Sequence, residues 1–408
     1  MPKLSRGADV NDKSLSTTIG YYAAFVAIGL STAALGPTLP RLAEHTHTLL
    51  NEASLLFTAH ALGYLVGSFQ GGRFYDRVPG HPLLAAVLLI MAVMLAVVPV
   101  IPVLWLLAAV VLVLGAAEGA VDVGGNTLLV WVHGRGVGPF MNALHLFFGV
   151  GSFLSPIIIA QALAWSGDVT LAYWTIAVLM LPVAAWLARL PSPRAQTAAE
   201  DESHDANPAA RSKARNHKVV LVALIALLLL LYVGAEVGFG GWIYSYALAM
   251  GLGSETSAAY LTSAFWGALT LGRLAGIPIA IRFRSRSILF ADLLGCGASV
   301  AILLLWPHSL AATWLGSLGL GFAMASVFPT VLSLAGQEMT ITGQITGWFL
   351  VGSSAGGMTL PWIMGQLFEA SGPGSVMMVI FVDVAMAVAV FAGLMAYSGA
   401  RRQRVAVE

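Results

Sequence analysis

The feature that most constrains this chain is a succession of twelve long apolar runs. Each is close to the roughly 20 residues that a helix needs to cross the hydrocarbon core of a bilayer. They fall at 17–40, 52–72, 81–101, 103–131, 138–163 and 169–190, then at 218–247, 255–282, 287–306, 309–334, 342–367 and 374–398. The narrowest gap lies between the third and fourth, where Pro99 and Pro102 disfavour a continuous helix and mark a tight turn. In lipid, a backbone can satisfy its polar groups only as helices or a closed barrel. Runs of this length predict an all-α membrane protein with twelve transmembrane helices. Composition agrees: 58% of the 408 residues are hydrophobic and 10% are charged, with a mean hydropathy of +0.84. A soluble domain carries about 25% charged residues, so a surface this poor in charge faces a lipid bilayer more favourably than water.

Several classes are excluded. Cys296 is the single cysteine, which rules out an internal disulfide and a cysteine metal cluster. Within an apolar run it reads as a small buried hydrophobe. A net charge of +1 argues against a nucleic-acid partner. There is no nucleophile–base constellation, metal-ligand spacing or nucleotide loop, so the chain is not expected to be an enzyme or to need an organic cofactor. The polar stretch Met1–Thr18 lacks the pattern of a signal peptide, and the first helix is expected to remain as an anchor.

Pro191 to His217 differs from everything around it. It carries three prolines, Ser, Ala and both charge signs, a composition that cannot bury a core and reads as a linker. The expected organisation is a six-helix bundle over 1–190, a cytoplasmic linker over 191–217 and a second six-helix bundle over 218–408. If both termini are cytoplasmic, 19 of the 20 Lys and Arg residues fall on the inner side and only Arg41 lies outside. That bias is what the positive-inside rule demands of a correct topology. The expected location is the cell membrane, multi-pass, as a monomer.

Ionisable groups at bilayer depth cost at least about 2.5–3.5 kcal/mol each, so those present invite a functional reading. Glu118 and Asp122 lie four residues apart in Gly-rich sequence of the fourth run, on one helix face, with Asn126 one turn further. Carboxylates about 6 Å apart do not readily both ionise. The pair can carry a proton or, with hard oxygen ligands around it, bind Na⁺. Glu236 stands at cavity depth in the seventh run, and Trp242, Tyr244 and Tyr246 follow toward its outer end. Such aromatics either stack on sugar faces or form an interfacial belt. His60 and His145 are also intramembrane, and Asn142 shares a face with His145. Asp292 is expected to pair with a loop arginine, and Asp383 has no partner evident in the sequence. Gly72, Asp76 and Arg77, between the second and third runs, read as a cytoplasmic gating element, with Arg273 as its relative in the second half.

These motifs together resemble the major facilitator superfamily, of which Gly72-xxx-Asp76-Arg77 is similar to the loop signature, although Gly80 comes one residue late and His81 replaces a usual base. More specifically, the chain resembles the fucose–glucose symporter group and its sodium-dependent glucose transporter branch. The resemblance rests on Leu35-Gly-Pro-Thr-Leu-Pro40, Asp122-Val-Gly-Gly-Asn126, Gly138-Pro-Phe-Met-Asn-Ala-Leu-His145, Tyr232-Val-Gly-Ala-Glu236 and Phe265-Trp-Gly-Ala-Leu-Thr-Leu-Gly-Arg273. It implies the major facilitator fold, two parallel six-helix repeats around a central cavity. By resemblance, Asp122 falls where fucose symporters place a proton-carrying Glu, Asn126 matches an Asn, and Glu236 takes the place of a Gln. Gly36 stands where those symporters carry a second acid, whose work Glu118 can take over. The coupling ion stays open between H⁺ and Na⁺. Gly151-Ser-Phe-Leu-Ser-Pro156 also resembles a motif of drug–proton antiporters, but such stretches are common where membrane helices pack closely.

The expected function is secondary active import of a sugar or sugar-like solute, a hexose first, by H⁺ or Na⁺ symport. Glu118 and Asp122 bind the cation. Asn126, Asn142, His145, His60 and Glu236 bond the hydroxyls, and Trp242 or Trp266 stacks on the ring. The alternative is a proton-coupled exporter of amphipathic compounds or lipids.

Overall fold

The structure, a computed structural model, describes residues 5–193, 208–340 and 342–405. Among these residues the secondary structure is helical throughout, with no strand. The first half contains α1 (Ser5–Thr32), α2 (Leu35–His45), α3 (Leu50–Ala53), α4 (Leu55–Tyr75), α5 (Gly80–Val97), α6 (Leu104–His133), α7 (Gly138–Ser166) and α8 (Thr170–Arg189). The second contains α9 (Pro208–Ala249), α10 (Glu255–Arg282), α11 (Ser285–Leu305), α12 (Leu310–Met324), α13 (Val327–Glu338), α14 (Gly343–Ser371) and α15 (Gly374–Val405).

Two of the expected runs are interrupted. The first breaks at Ala33–Ala34, so α1 and α2 form one jointed rod, and the tenth breaks at Ala325–Ser326 between α12 and α13. The expected turn near Pro99 and Pro102 is present, as a short 3₁₀ turn over Val98–Val100 followed by extended residues. Counting α3 with α4 as well, the described residues form twelve rods. Ten of the helices among them are long and apolar enough to cross a membrane. The two rods that fall short, α4 and α14, are the more polar ones and pack on each other across the halves. A helix covered by protein on both sides has less need of apolar residues than one facing lipid.

The expected linker, 191–217, is shorter than its composition implied. Pro191 to Pro193 are non-helical, and 194–207 lie outside the described residues. From Pro208 the chain is already helical and runs unbroken into the apolar part of α9. Pro at a helix start costs nothing, and the Ala, Arg and Lys that follow are good helix formers. A polar composition therefore did not exclude a helix here.

Packing repeats between the halves. In the first, α1 lies on α7, α4 on α6, and α5 on α8; in the second, α9 lies on α14, α10 on α12, and α11 on α15. Counted by rods, both halves pair first with fifth, second with fourth and third with sixth. The halves meet where α2 crosses α9, α4 meets α14 and α7 meets α10. At the first crossing, a Cβ on Gly36 would stand 2.8 Å from the Gly240 carbonyl oxygen and from the Gly241 Cα. Near it, Arg41 Nη2 donates to Glu255 Oε1 at 2.8 Å, and the Gln366 side chain donates to the Asn51 carbonyl at 2.9 Å. All these ties lie at the end opposite Arg77, Arg189 and Arg282. Ser155, in the stretch resembling an antiporter motif, bonds the Leu30 carbonyl at 2.6 Å, and Gly151 packs on the α1 backbone; that stretch is a helix contact.

Candidate functional site

Between the halves lies a cavity of about 700 Å³. It reaches past Ala280, Ser285 and Ser333 toward the arginine-rich end, whereas the ties described above close the opposite end. The first half contributes His60 and Tyr64 from α4, Asp122 from α6, and Asn142 and His145 from α7. The second contributes Tyr232 and Glu236 from α9, Trp266 and Arg273 from α10, and Ser326 at the α12–α13 break.

Glycine positions the first wall. A Cβ at Gly115 would stand 2.2 Å from the His60 carbonyl oxygen, and one at Gly119 the same distance from that of Tyr64. Only glycine lets the α4 and α6 backbones come this close. The approach brings His60 and Tyr64, four apart on α4, against Glu118 and Asp122, four apart on α6.

The two carboxylates do not share one environment. Glu118 is fully buried and does not line the cavity. Its carboxylate accepts from Ser31 Oγ at 2.5 Å and Thr32 Oγ1 at 2.7 Å, and bonds His60 Nε2 at 2.9 Å. Asp122 does line the cavity; its oxygens accept from Tyr64 Oη at 2.7 Å and from Asn126 Nδ2 at 3.0 Å. Asn126 also donates to the Asp122 carbonyl at 2.9 Å, so it orients Asp122 from behind and does not itself line the cavity. His145 stands edge-on to Phe25, with ring centroids 5.7 Å apart, in the same wall.

On the opposite wall, Glu236 Oε1 lies 3.6 Å from Arg273 Nη2. Arg273 therefore faces the cavity, away from the loop element with which its sequence context grouped it. Gly72 lies near the end of α4, and Asp76 and Arg77 follow it, exposed at the arginine-rich end. Among the described residues no ion pair joins Asp76 to Arg77.

The aromatics separate sharply. Trp266 lines the cavity, 6% exposed. Trp242 is 0% exposed and outside the lining; its indole donates to the Pro361 carbonyl at 2.9 Å, and the ring packs between Phe57 and Phe368. Tyr244 and Tyr246 are buried too, so neither stacking nor an interfacial belt describes this segment. Asp292 accepts from Ser326 Oγ at 2.7 Å, so its partner is a cavity-lining serine and not the expected loop arginine. Arg286 pairs with Glu338 at 2.9 Å. Cys296 is buried, and Asp383 is buried with one carboxylate oxygen lacking a hydrogen-bond partner in the protein.

Ser31, Thr32, Tyr64, Tyr232 and Ser326 were not singled out in the sequence. Tyr64 carried a usable signal, since it stands one turn from His60 as Asp122 does from Glu118. Ser31 and Thr32 precede a joint that only the fold reveals.

Residues 21–361 match the family model described as Major Facilitator Superfamily. Sodium-dependent glucose transporter 1A of Mus musculus is 30% identical over 85% of this chain and 88% of its own length. Sodium-dependent glucose transporter 1 of Xenopus laevis is 32% identical over 83% of this chain and 73% of its own length. Among solved structures, the nucleoside transporter NupG (D323A mutant) superposes with a TM-score of 0.73 at 14% identity, covering 94% of this chain and 99% of that one.

Proposed function

The chain belongs to the major facilitator superfamily, and from that premise we propose that it is a twelve-span secondary active transporter importing a sugar or sugar-like solute by H⁺ or Na⁺ symport. The observation that carries this reading is the placement of hydrogen-bonding groups from both halves around one cavity. Asp122, Asn142 and His145 stand on one wall, and Glu236 and Arg273 on the other. A polyhydroxylated ring has both donors and acceptors to satisfy, and this wall supplies both. Trp266 offers an aromatic face beside them. The names of the mouse and frog relatives support the same substrate class.

In this reading the halves before and after the linker rock about the cavity. The arginine-rich end faces the cytoplasm, both termini are cytoplasmic, the cell membrane is the site of action, and the protein works as a monomer. The conformation is then inward-open. The Gly36–Gly240 crossing and the Arg41–Glu255 pair form the closed outer gate, while Gly72, Asp76 and Arg77 stand at the parted inner gate. Asp122, with Asn126 behind it, and Glu118, with His60 beside it, form the cation-coupling side. Trp242 supports the wall through α14 and is not a substrate contact.

The apolar residues of the cavity wall, among them Ile28, Leu146, Phe148 and Ile277, favour one other reading: a proton-coupled exporter of amphipathic compounds or lipids. Counterflow of labelled hexoses in proteoliposomes separates the two. Saturable hexose exchange supports import. Its absence, with exchange of lipophilic cations, favours export.

A further inference from the structure

The joint between α1 and α2 carries an oxygen-rich cluster that hydroxyl recognition does not require. Ser31 and Thr32, the last residues before the break, both donate to Glu118, a fully buried carboxylate. Ala33, next in sequence, stands at the break with its main-chain carbonyl. Residue 37 is proline, so that carbonyl has no N–H four residues ahead to accept from. Thr32 and Ala33 line the cavity, which gives the cluster an entrance, while Glu118 closes its inner side. A carboxylate, two hydroxyls and a carbonyl beside a helix break are hard oxygen donors, and interrupted membrane helices bind Na⁺ with such donors. His60 supplies no oxygen and holds the carboxylate from the side of α4.

We propose that Ser31, Thr32, Glu118 and the Ala33 carbonyl form a Na⁺ site at the α1–α2 joint, distinct from Asp122. The proposal rests on the symporter reading and chooses its ion. It also gives the ion a mechanical role. Beyond the joint, α2 carries both Gly36, at its crossing with α9, and Arg41, which pairs with Glu255. An ion bound across the joint ties the end of α1 to α6, and so sets the angle at which α2 closes the outer gate.

The test is thermal unfolding of the purified full chain in NaCl against choline chloride at equal ionic strength. Na⁺ is expected to raise the midpoint of the parent protein, since a ligand bound only by the folded state stabilises it. Glu118→Gln is expected to abolish the Na⁺ response. Thr32→Val and Ser31→Ala, milder changes that serve if Glu118→Gln does not fold, are expected to raise the Na⁺ concentration for half effect by at least about tenfold, the scale on which even outer-shell changes weaken a metal site. Trp242→Phe, away from the joint and outside the cavity lining, is expected to retain the response. No Na⁺ response in the parent, an unshifted response in both hydroxyl variants, or a response kept with Glu118→Gln, each overturns the site. Hexose counterflow is read in parallel. Counterflow without a Na⁺ response overturns this site and leaves the import reading standing, whereas a Na⁺ response without counterflow overturns the import reading.

Discussion

The two walls of the cavity come from equivalent rods, yet they are furnished differently. In the first half the fourth rod, α6, carries Glu118 and Asp122, and the second and first rods converge on them with His60, Tyr64, Ser31 and Thr32. In the second half the fourth rod is α12–α13, which has no acid at the corresponding depth; there a break places Ser326 against Asp292. The charges of the second wall are one pair, Glu236 and Arg273. The repeat thus preserves packing and not chemistry. Packing depends on small residues at crossings and tolerates change elsewhere, whereas buried charge is retained only where partners compensate its cost. The proposed cation-coupling acids thus stand on the first wall alone, whereas the proposed hydroxyl contacts come from both.

The largest expected effect tests that asymmetry directly. Asp122→Asn is expected to abolish uphill accumulation in proteoliposomes while leaving exchange; unchanged accumulation would remove coupling from the first wall. Next comes the seam that lets the walls move as units. Gly36→Leu cannot fit against Gly240 and Gly241 without a shift, and overpacking of this kind costs about 1–3 kcal/mol. Uptake is expected to fall at least about tenfold, with greater labelling, from the outer side, of a cysteine introduced into the cavity as Asn142→Cys. An unaltered labelling pattern would show that this crossing does not form the gate.

On the second wall, Glu236→Gln removes the partner of Arg273. Apparent hexose affinity is expected to weaken about tenfold, or about 1.4 kcal/mol, with the Na⁺ response intact. A changed Na⁺ response would mean that the walls are not separable. A smaller effect distinguishes two tryptophans. Trp242→Phe loses the bond to the Pro361 carbonyl and is expected to cost about 1 kcal/mol of stability without altering affinity. Trp266→Phe is expected to do the reverse. The smallest effect is Arg41→Ala, whose partly exposed pairs with Glu44 and Glu255 are worth no more than about 1 kcal/mol.

Much of the fold was legible in the sequence because the bilayer is a one-dimensional ruler. Length and apolarity located the rods within a few residues, and the prolines near residue 100 marked a real turn. The same ruler failed for 208–217, because a polar helix and a polar coil share a composition. It also failed for the breaks at Ala33–Ala34 and Ala325–Ser326, which lie inside continuous apolar runs. At the site, four-residue spacing put Glu118 and Asp122 on one helix, but one helix cannot tell which of its residues faces a cavity. That depended on how α1 and α4 approach α6.

By itself, then, the sequence determined an all-helical membrane chain and the identity of its intramembrane acids, because hydrophobicity and charge are properties of single residues. Only the tertiary structure decided that Glu118 is sealed among hydroxyls while Asp122 faces the cavity, that Arg273 belongs to Glu236, and that Trp242 packs against α14 while Trp266 reaches the cavity. Each of these is a relation between distant segments, set by close helix crossings at glycine, and no local pattern encodes it.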